Sequence, residues 1–128
     1  MNLLLDTHAL LWALGDSKQL SETARDALLD PANSIAVSAA SAWELAIKQG
    51  IGKIDLPGAV EDWLPDAVAQ AGFSNIPVTF EDALAVAALP WHHRDPFDRL
   101  LVAQCRGGRV LVTRDSALAA YGIPLLAC

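Results

Sequence analysis

The stretch Asn2–Leu14 reads NLLLDTHALLWAL. The run Asn2–Asp6 is apolar until it closes on an acid, and a second apolar run, Ala9–Leu14, follows almost at once. The first run does not alternate polar with apolar residues. A short continuous apolar run is the signature of a strand covered on both faces, the condition of a parallel sheet. The same form recurs in Ser34–Ser38 (SIAVS) and Arg109–Thr113 (RVLVT). Asn75–Thr79 (NIPVT) is a weaker case, because Pro77 pushes it toward a sheet edge. Pro124–Leu126 is a candidate fifth strand.

Helical patterns fill the intervals. Val60, Trp63, Leu64, Ala67, Val68 and Ala71 form an amphipathic stripe, and Phe80, Ala83, Leu84, Ala87 and Ala88 form another. Trp43, Ala46 and Ile47 mark a helix that stops near Gly50. Phe97, Leu100, Leu101 and Cys105 mark one ended by Gly107-Gly108, and Ser21–Asp30 reads as a short surface helix before Pro31. Strands alternating with helices predict an α/β domain with right-handed crossovers, whose ligand sites lie beyond the carboxyl ends of the strands.

The remaining composition narrows the class. A chain of 128 residues, 53% of them hydrophobic, is expected to be one domain spanning residues 1–128 with a full core. Lys plus Arg number 9 against 15 Asp plus Glu, for a net charge of −6. That balance argues against a broad basic nucleic-acid surface, though not against a nucleic-acid enzyme whose acids gather around a cation. No apolar run reaches the roughly 18 residues of a membrane span, and Asp6 and His8 precede Ala9–Leu14 where a signal peptide would be basic. The two cysteines, Cys105 and Cys128, suit neither a disulfide framework nor a cysteine zinc site, and a reducing cytoplasm is the expected location.

The acids then fall where such a fold puts its site. Asp6 closes the first strand and Asp115 follows the fourth, in Thr113-Arg114-Asp115. Glu44 lies in the helix after the second strand, and Asp98 lies in the first turn of the helix before the fourth. A parallel sheet brings all of them to one end. Gathered carboxylates repel one another, and a divalent cation removes that cost; a set of oxygen ligands suits Mg²⁺ or Mn²⁺ rather than zinc. Each acid also has a structural reading. Asp6 and Asp115 can cap the helices that follow them, and Asp95-Pro96 is a helix-start signature. Ser41-x-x-Glu44 matches a capping box, and Glu44 can pair with Lys48.

Leu5-Asp6-Thr7-His8, Ser41-Ala42-Trp43-Glu44-Leu45, the run from Asp95 to Gln104 (DPFDRLLVAQ) and Leu111-Val112-Thr113-Arg114-Asp115 come in this order. Together they resemble the PIN domain, and within it the VapC-like toxins of type II toxin–antitoxin pairs, from Asn2 to about Tyr121. The resemblance implies a three-layer α/β/α fold with a central five-stranded parallel sheet, a homodimer and a VapB-like protein antitoxin. It implies an endoribonuclease dependent on Mg²⁺ or Mn²⁺, in which Asp6, Glu44, Asp98 and Asp115 are the catalytic, metal-holding quartet. Asp95 is an additional acid, with capping as its expected role.

Several further residues carry expectations. Thr7 and Thr113 are expected to orient carboxylates or waters, or else to cap helices and turns. Arg94, Arg99 and Arg114 flank the acids and are candidates for RNA phosphates, with ion pairing to the acids favoured for Arg99. His92 and His93 are adjacent, which disfavours paired ligation and favours loop or substrate contact. Trp12 and Trp43 are candidates for contact with a second copy or with the antitoxin, against plain core packing. Two other readings compete: a non-catalytic PIN-like binding module that keeps the acids as caps, and an aspartyl-phosphate-type phosphatase. The phosphatase pattern wants a second Asp two residues after Asp6, where this chain has His8.

Overall fold

The computed structural model describes residues 1–128. Its strands are β1 (Asn2–Leu5), β2 (Ser34–Ser38), β3 (Ser74–Ile76), β4 (Val110–Thr113) and β5 (Leu125–Ala127). They form one sheet in the order β3-β2-β1-β4-β5, parallel at every pairing. The helices are α1 (Thr7–Leu14), α2 (Glu22–Leu29), α3 (Ala39–Gly50), α4 (Val60–Gln70), α5 (Phe80–Ala85) and α6 (Pro96–Gln104), with a 3₁₀ segment at Ser116–Tyr121. The expected strand near Pro77 ends one residue before it and lies at the sheet edge. None of the helices is long and apolar enough to cross a membrane.

Successive strand residues enter opposite layers, which explains the continuous apolar runs. Leu3, Leu5, Ile35, Val37 and Val112 point to one side, against Leu10, Leu45, Leu64 and Val68 of α1, α3 and α4. Leu4, Ala36 and Leu111 point to the other, against Leu101 and Val102 of α6. Cys105 is buried in that second layer, and burial pushes its thiol up to about 12. The stripe on α5 behaves differently. Phe80 and Leu84 are 79% and 60% exposed, so this face has no cover within the chain.

Sheet order fixes where the site lies. From β1 the chain steps outward to β2 and β3, then returns to place β4 and β5 on the other flank. The topological switch point therefore lies between β1 and β4, where open α/β sheets leave a crevice. Leu5 pairs with both Val37 and Val112, so Asp6, Ser38 and Thr113 follow at the same edge. The Asp6 N–H donates to the Val112 carbonyl at 3.0 Å, holding that aspartate at the end of the sheet.

Arg99 fastens the segment that closes this end. It is 3% exposed and pairs with no carboxylate, contrary to the expected ion pair. Asp95 is instead occupied as the cap of α6, and the Arg99 side chain runs into the loop before it. Nη1 donates to the Pro90 carbonyl at 2.8 Å and to the Tyr121 hydroxyl at 3.1 Å. Nη2 donates to the carbonyls of Val86 and Leu89 at 3.2 and 3.3 Å, and the Trp91 ring centroid is 4.0 Å from Cζ. The planar fork satisfies groups on several sides, a task a lysine cannot copy. Arg99→Lys is expected to lower stability by about 2–4 kcal/mol in chemical denaturation. A loss below about 0.5 kcal/mol, the size of an ordinary surface substitution, contradicts that role.

Candidate active site at the switch point

Asp6, Asp98 and Asp115 line one open pocket of about 280 Å³, together with His8, Trp12 and Arg114. Each aspartate arrives by a local rule. Asp6 is the N-cap of α1, and its Oδ1 accepts from the Ala9 N–H at 2.8 Å. Asp115 caps the 3₁₀ segment, with Oδ1 accepting from the Ala117 N–H at 3.0 Å. Asp95 caps α6 through Phe97 and Asp98, with Pro96 in the first turn, so Asp98 starts the helix with its own carboxylate uncommitted to capping. Capping and clustering are thus compatible: a cap engages one oxygen and leaves the group at the sheet end.

Glu44 is near but is not among the pocket-lining residues. It is 7% exposed, accepts from the Thr7 hydroxyl at 2.5 Å and pairs with Lys48 at 2.8 Å. The expected capping box at Ser41 does not form. Helix α3 begins earlier, capped by the Ser38 hydroxyl on the Ala40 N–H, so Ser41 lies inside the helix and is available to Thr7 at 3.2 Å. Thr113 also serves the acids: its hydroxyl works against the rise of the Asp6 carboxyl and accepts from the Asp115 N–H at 3.0 Å.

His93 joins the cluster, a placement that sequence reasoning left to a loop or substrate contact. Its Nε2 lies 2.9 Å from Asp115 Oδ2 and 3.6 Å from Asp98 Oδ2. One ligand atom from each of His93, Asp98 and Asp115 falls within 4.8 Å of the others. The backbone selects the tautomer. Nδ1 accepts from the Asp95 N–H at 3.1 Å, so the ring proton sits on Nε2 and is donated to Asp115. In this form His93 orients a carboxylate and offers no lone pair to a cation. The His93 N–H also donates to the Tyr121 hydroxyl at 3.0 Å, the same oxygen that Arg99 bonds. The available signal was the position of His93 two residues before the cap Asp95.

Of the remaining sequence candidates, Trp43 is 61% exposed and packs edge-to-face on Phe97 at 5.2 Å, away from the pocket. Trp12 and Arg114 line it. His92 packs on Tyr121 and is outside the pocket lining.

The electrostatics register the crowding. Asp98 is pushed up to about 7, first by burial and then by the charges of Asp95 and Asp6. Asp6 is also raised, chiefly by burial, against the hydrogen bonds from Thr113 and the Ala9 N–H. Carboxylates raised by burial and by one another suit a divalent cation, and the pocket offers oxygen donors of the type Mg²⁺ and Mn²⁺ take. In the ion-free protein, folded Asp98 keeps its proton up to about 7, whereas its ordinary value is 3.8. Between those limits the native state binds the extra proton, so this group's contribution to stability falls as pH rises. Asp98→Asn removes the dependence. In EDTA, the variant's stability relative to wild type is expected to improve from about pH 5 to about pH 8, by on the order of 2–4 kcal/mol. A difference that stays constant over that range, followed by thermal denaturation, contradicts the assignment.

Comparison with known proteins bears on the family and the fold. Residues 3–124 match the family model described as PIN domain. Ribonuclease VapC16 of Mycobacterium tuberculosis is 43% identical over 49 residues, a segment covering 38% of this chain and 35% of that protein. The fold aligns with VapBC2 from Rickettsia felis bound to a promoter DNA fragment, at TM-score 0.74 and 17% identity over 99% of this chain and 98% of that one. It aligns with DNA-bound VapBC from Salmonella typhimurium at TM-score 0.70 and 17% identity, over 99% and 98% of the two chains. FitAcB from Neisseria gonorrhoeae aligns at TM-score 0.64 and 21% identity, over 97% and 96%. With nearly its whole length matched by the family model and its acids gathered at the sheet's switch point, the chain belongs to the PIN domain family.

Proposed function

We propose that this protein is the toxin of a type II toxin–antitoxin pair, an endoribonuclease that hydrolyses RNA phosphodiester bonds with Mg²⁺ or Mn²⁺. The observation that carries the reading is the convergence of Asp6, Asp98 and Asp115 on one pocket, with Asp98 held at about 7. The relative named as a ribonuclease and the structural neighbours solved as VapBC complexes support it. RNA is the substrate, and a VapB-like protein is the antitoxin. The cytoplasm, where RNA and reduced thiols coexist, is the compartment, in keeping with the free Cys105 and Cys128.

Asp6, Asp98 and Asp115 are the groups that hold the cation, and Glu44 adds negative charge beside them. A divalent cation held by these carboxylates would supply positive charge against the developing phosphoryl charge and would lower the pKa of a bound water. The chain's own groups prepare that site. His93 donates to Asp115 and fixes its orientation, while the Ala9 N–H holds Asp6. Thr7 and Lys48 together hold Glu44, and the ammonium offsets one of the gathered charges.

The face between α3 and α5 is the dimer surface in this reading. Trp43 of α3 and Ala83 of α5 line a cleft together with Ala40, Val78 and Leu100, and Trp43, Phe80 and Leu84 are 61%, 79% and 60% exposed. A contiguous apolar surface of this kind is normally covered in an oligomer.

Purified, partner-free protein is expected to cut RNA at discrete positions with Mg²⁺ or Mn²⁺, and EDTA, Asp6→Asn and Asp98→Asn are each expected to abolish cleavage. Folded protein that leaves a total-RNA pool intact with either metal would favour the binding-module reading. Light scattering should give twice the chain mass of 13.6 kDa, and Leu84→Glu should return it to the single-chain value. A wild-type monomer at micromolar concentration sinks the dimer.

A further inference from the structure

Arg114 stands beside the acids without pairing to them. It shares the pocket with Asp6, Asp98 and Asp115, yet makes no ion pair or hydrogen bond. Its guanidinium Cζ lies 4.4 Å from the centroid of the Trp12 ring. Trp12 in turn has His8 at 5.8 Å on a tilted ring, and His8 lines the same pocket. A guanidinium is attracted to an indole face and lies well on it. That contact engages the cation with the ring, and no hydrogen bond or ion pair occupies its N–H groups. The side chain is exposed.

The pocket's charge makes this arrangement useful. An incoming RNA backbone carries a negative charge on every phosphate, and the lining residues include three aspartates. A cation at the aspartates would offset the charge of the phosphate being cut. The neighbouring phosphate needs its own counter-charge. Arg114 is the one permanently cationic side chain in the lining. A planar fork with free donors matches the two unesterified oxygens of a phosphodiester.

We propose that Trp12 and Arg114 form a backbone clamp: Arg114 binds the RNA phosphate adjacent to the scissile one, and Trp12 is the positioning residue that holds the guanidinium flat and away from the aspartates. This rests on the ribonuclease reading. It gives Trp12 a substrate-side role in place of the antitoxin or dimer contact for which the sequence made it a candidate. The clamp recognises backbone rather than base, so it contributes affinity and register with no sequence preference of its own.

Steady-state cleavage of a short oligoribonucleotide with a mapped wild-type cut site, in Mn²⁺, tests this. Arg114→Gln is expected to raise KM about 10-fold or more while kcat stays within about 2-fold, since a charge-assisted contact made throughout the reaction is lost. Arg114→Lys should recover only part of that loss. Trp12→Ala should raise KM in the same direction, and Trp12→Phe should restore most of it. The decisive arm replaces the adjacent phosphate with an uncharged methylphosphonate. Wild type should lose affinity on that substrate, whereas Arg114→Gln should be indifferent to it. Unchanged KM in the Arg114 and Trp12 variants, or an equal methylphosphonate penalty in wild type and Arg114→Gln, overturns the clamp and leaves the ribonuclease reading standing. Unchanged RNA kinetics alongside weakened antitoxin binding would reassign the pair to the protein partner. Absence of cleavage by folded wild type would overturn both readings together.

Discussion

Three aspartates share a pocket at the carboxyl end of a parallel sheet, and water alone does not relieve their repulsion. Asp98 bears most of the strain, because burial and the charges of Asp95 and Asp6 together push it up to about 7. Folding tolerates this because each neighbour has compensation. Asp6 receives Thr113 and a helix-start N–H, Asp115 receives His93, and Glu44 receives Thr7 and Lys48. Asp98 is left with the least. A site whose least compensated group is a carboxylate suits a cation, the basis of the proposed role.

The scaffold follows from the same requirement. Five of the pocket-lining residues lie within Asp6–Trp12 or at Arg114–Asp115, just past the ends of β1 and β4, which are adjacent in the sheet. The other acid, Asp98, must come from a helix start, and that start is held from outside the pocket. Arg99 binds the carbonyls of the preceding loop and the Tyr121 hydroxyl, and Tyr121 also accepts from His93. A buried cation with no carboxylate partner thereby ties α6, the loop before it and the segment after Asp115 into one frame.

Much of this was legible in the residues. Continuous apolar runs in β1, β2 and β4 specify a sheet buried on both faces, and Pro77 marks the edge. The four acids were visible because each sits at a strand end or in a helix next to one. What was not legible depends on distance across the fold. Ser41 and Glu44 have capping-box spacing, but whether a helix starts at Ser41 or Ser38 depends on where the sheet releases the chain. Arg99 has the spacing of an ion pair with Asp95, yet its direction is set by loop carbonyls that no local pattern reveals. His93 differs from His92 by one residue, and only the turn that presents its Nδ1 to the Asp95 N–H separates their roles. The α5 stripe has ordinary core periodicity, and periodicity does not distinguish a face buried within the chain from one left uncovered by it.

The central claim is that the aspartates at the switch point form a cation site whose occupation must displace a proton. Calorimetric titration of Mn²⁺ into the metal-free protein near pH 6, in two buffers of different ionisation enthalpy, tests it most directly. The account predicts saturable binding with a buffer-dependent heat that reports proton release, shrinking toward pH 8 and lost in Asp98→Asn. Absence of binding, or binding with the same heat in both buffers and in the Asp98→Asn protein, would contradict it.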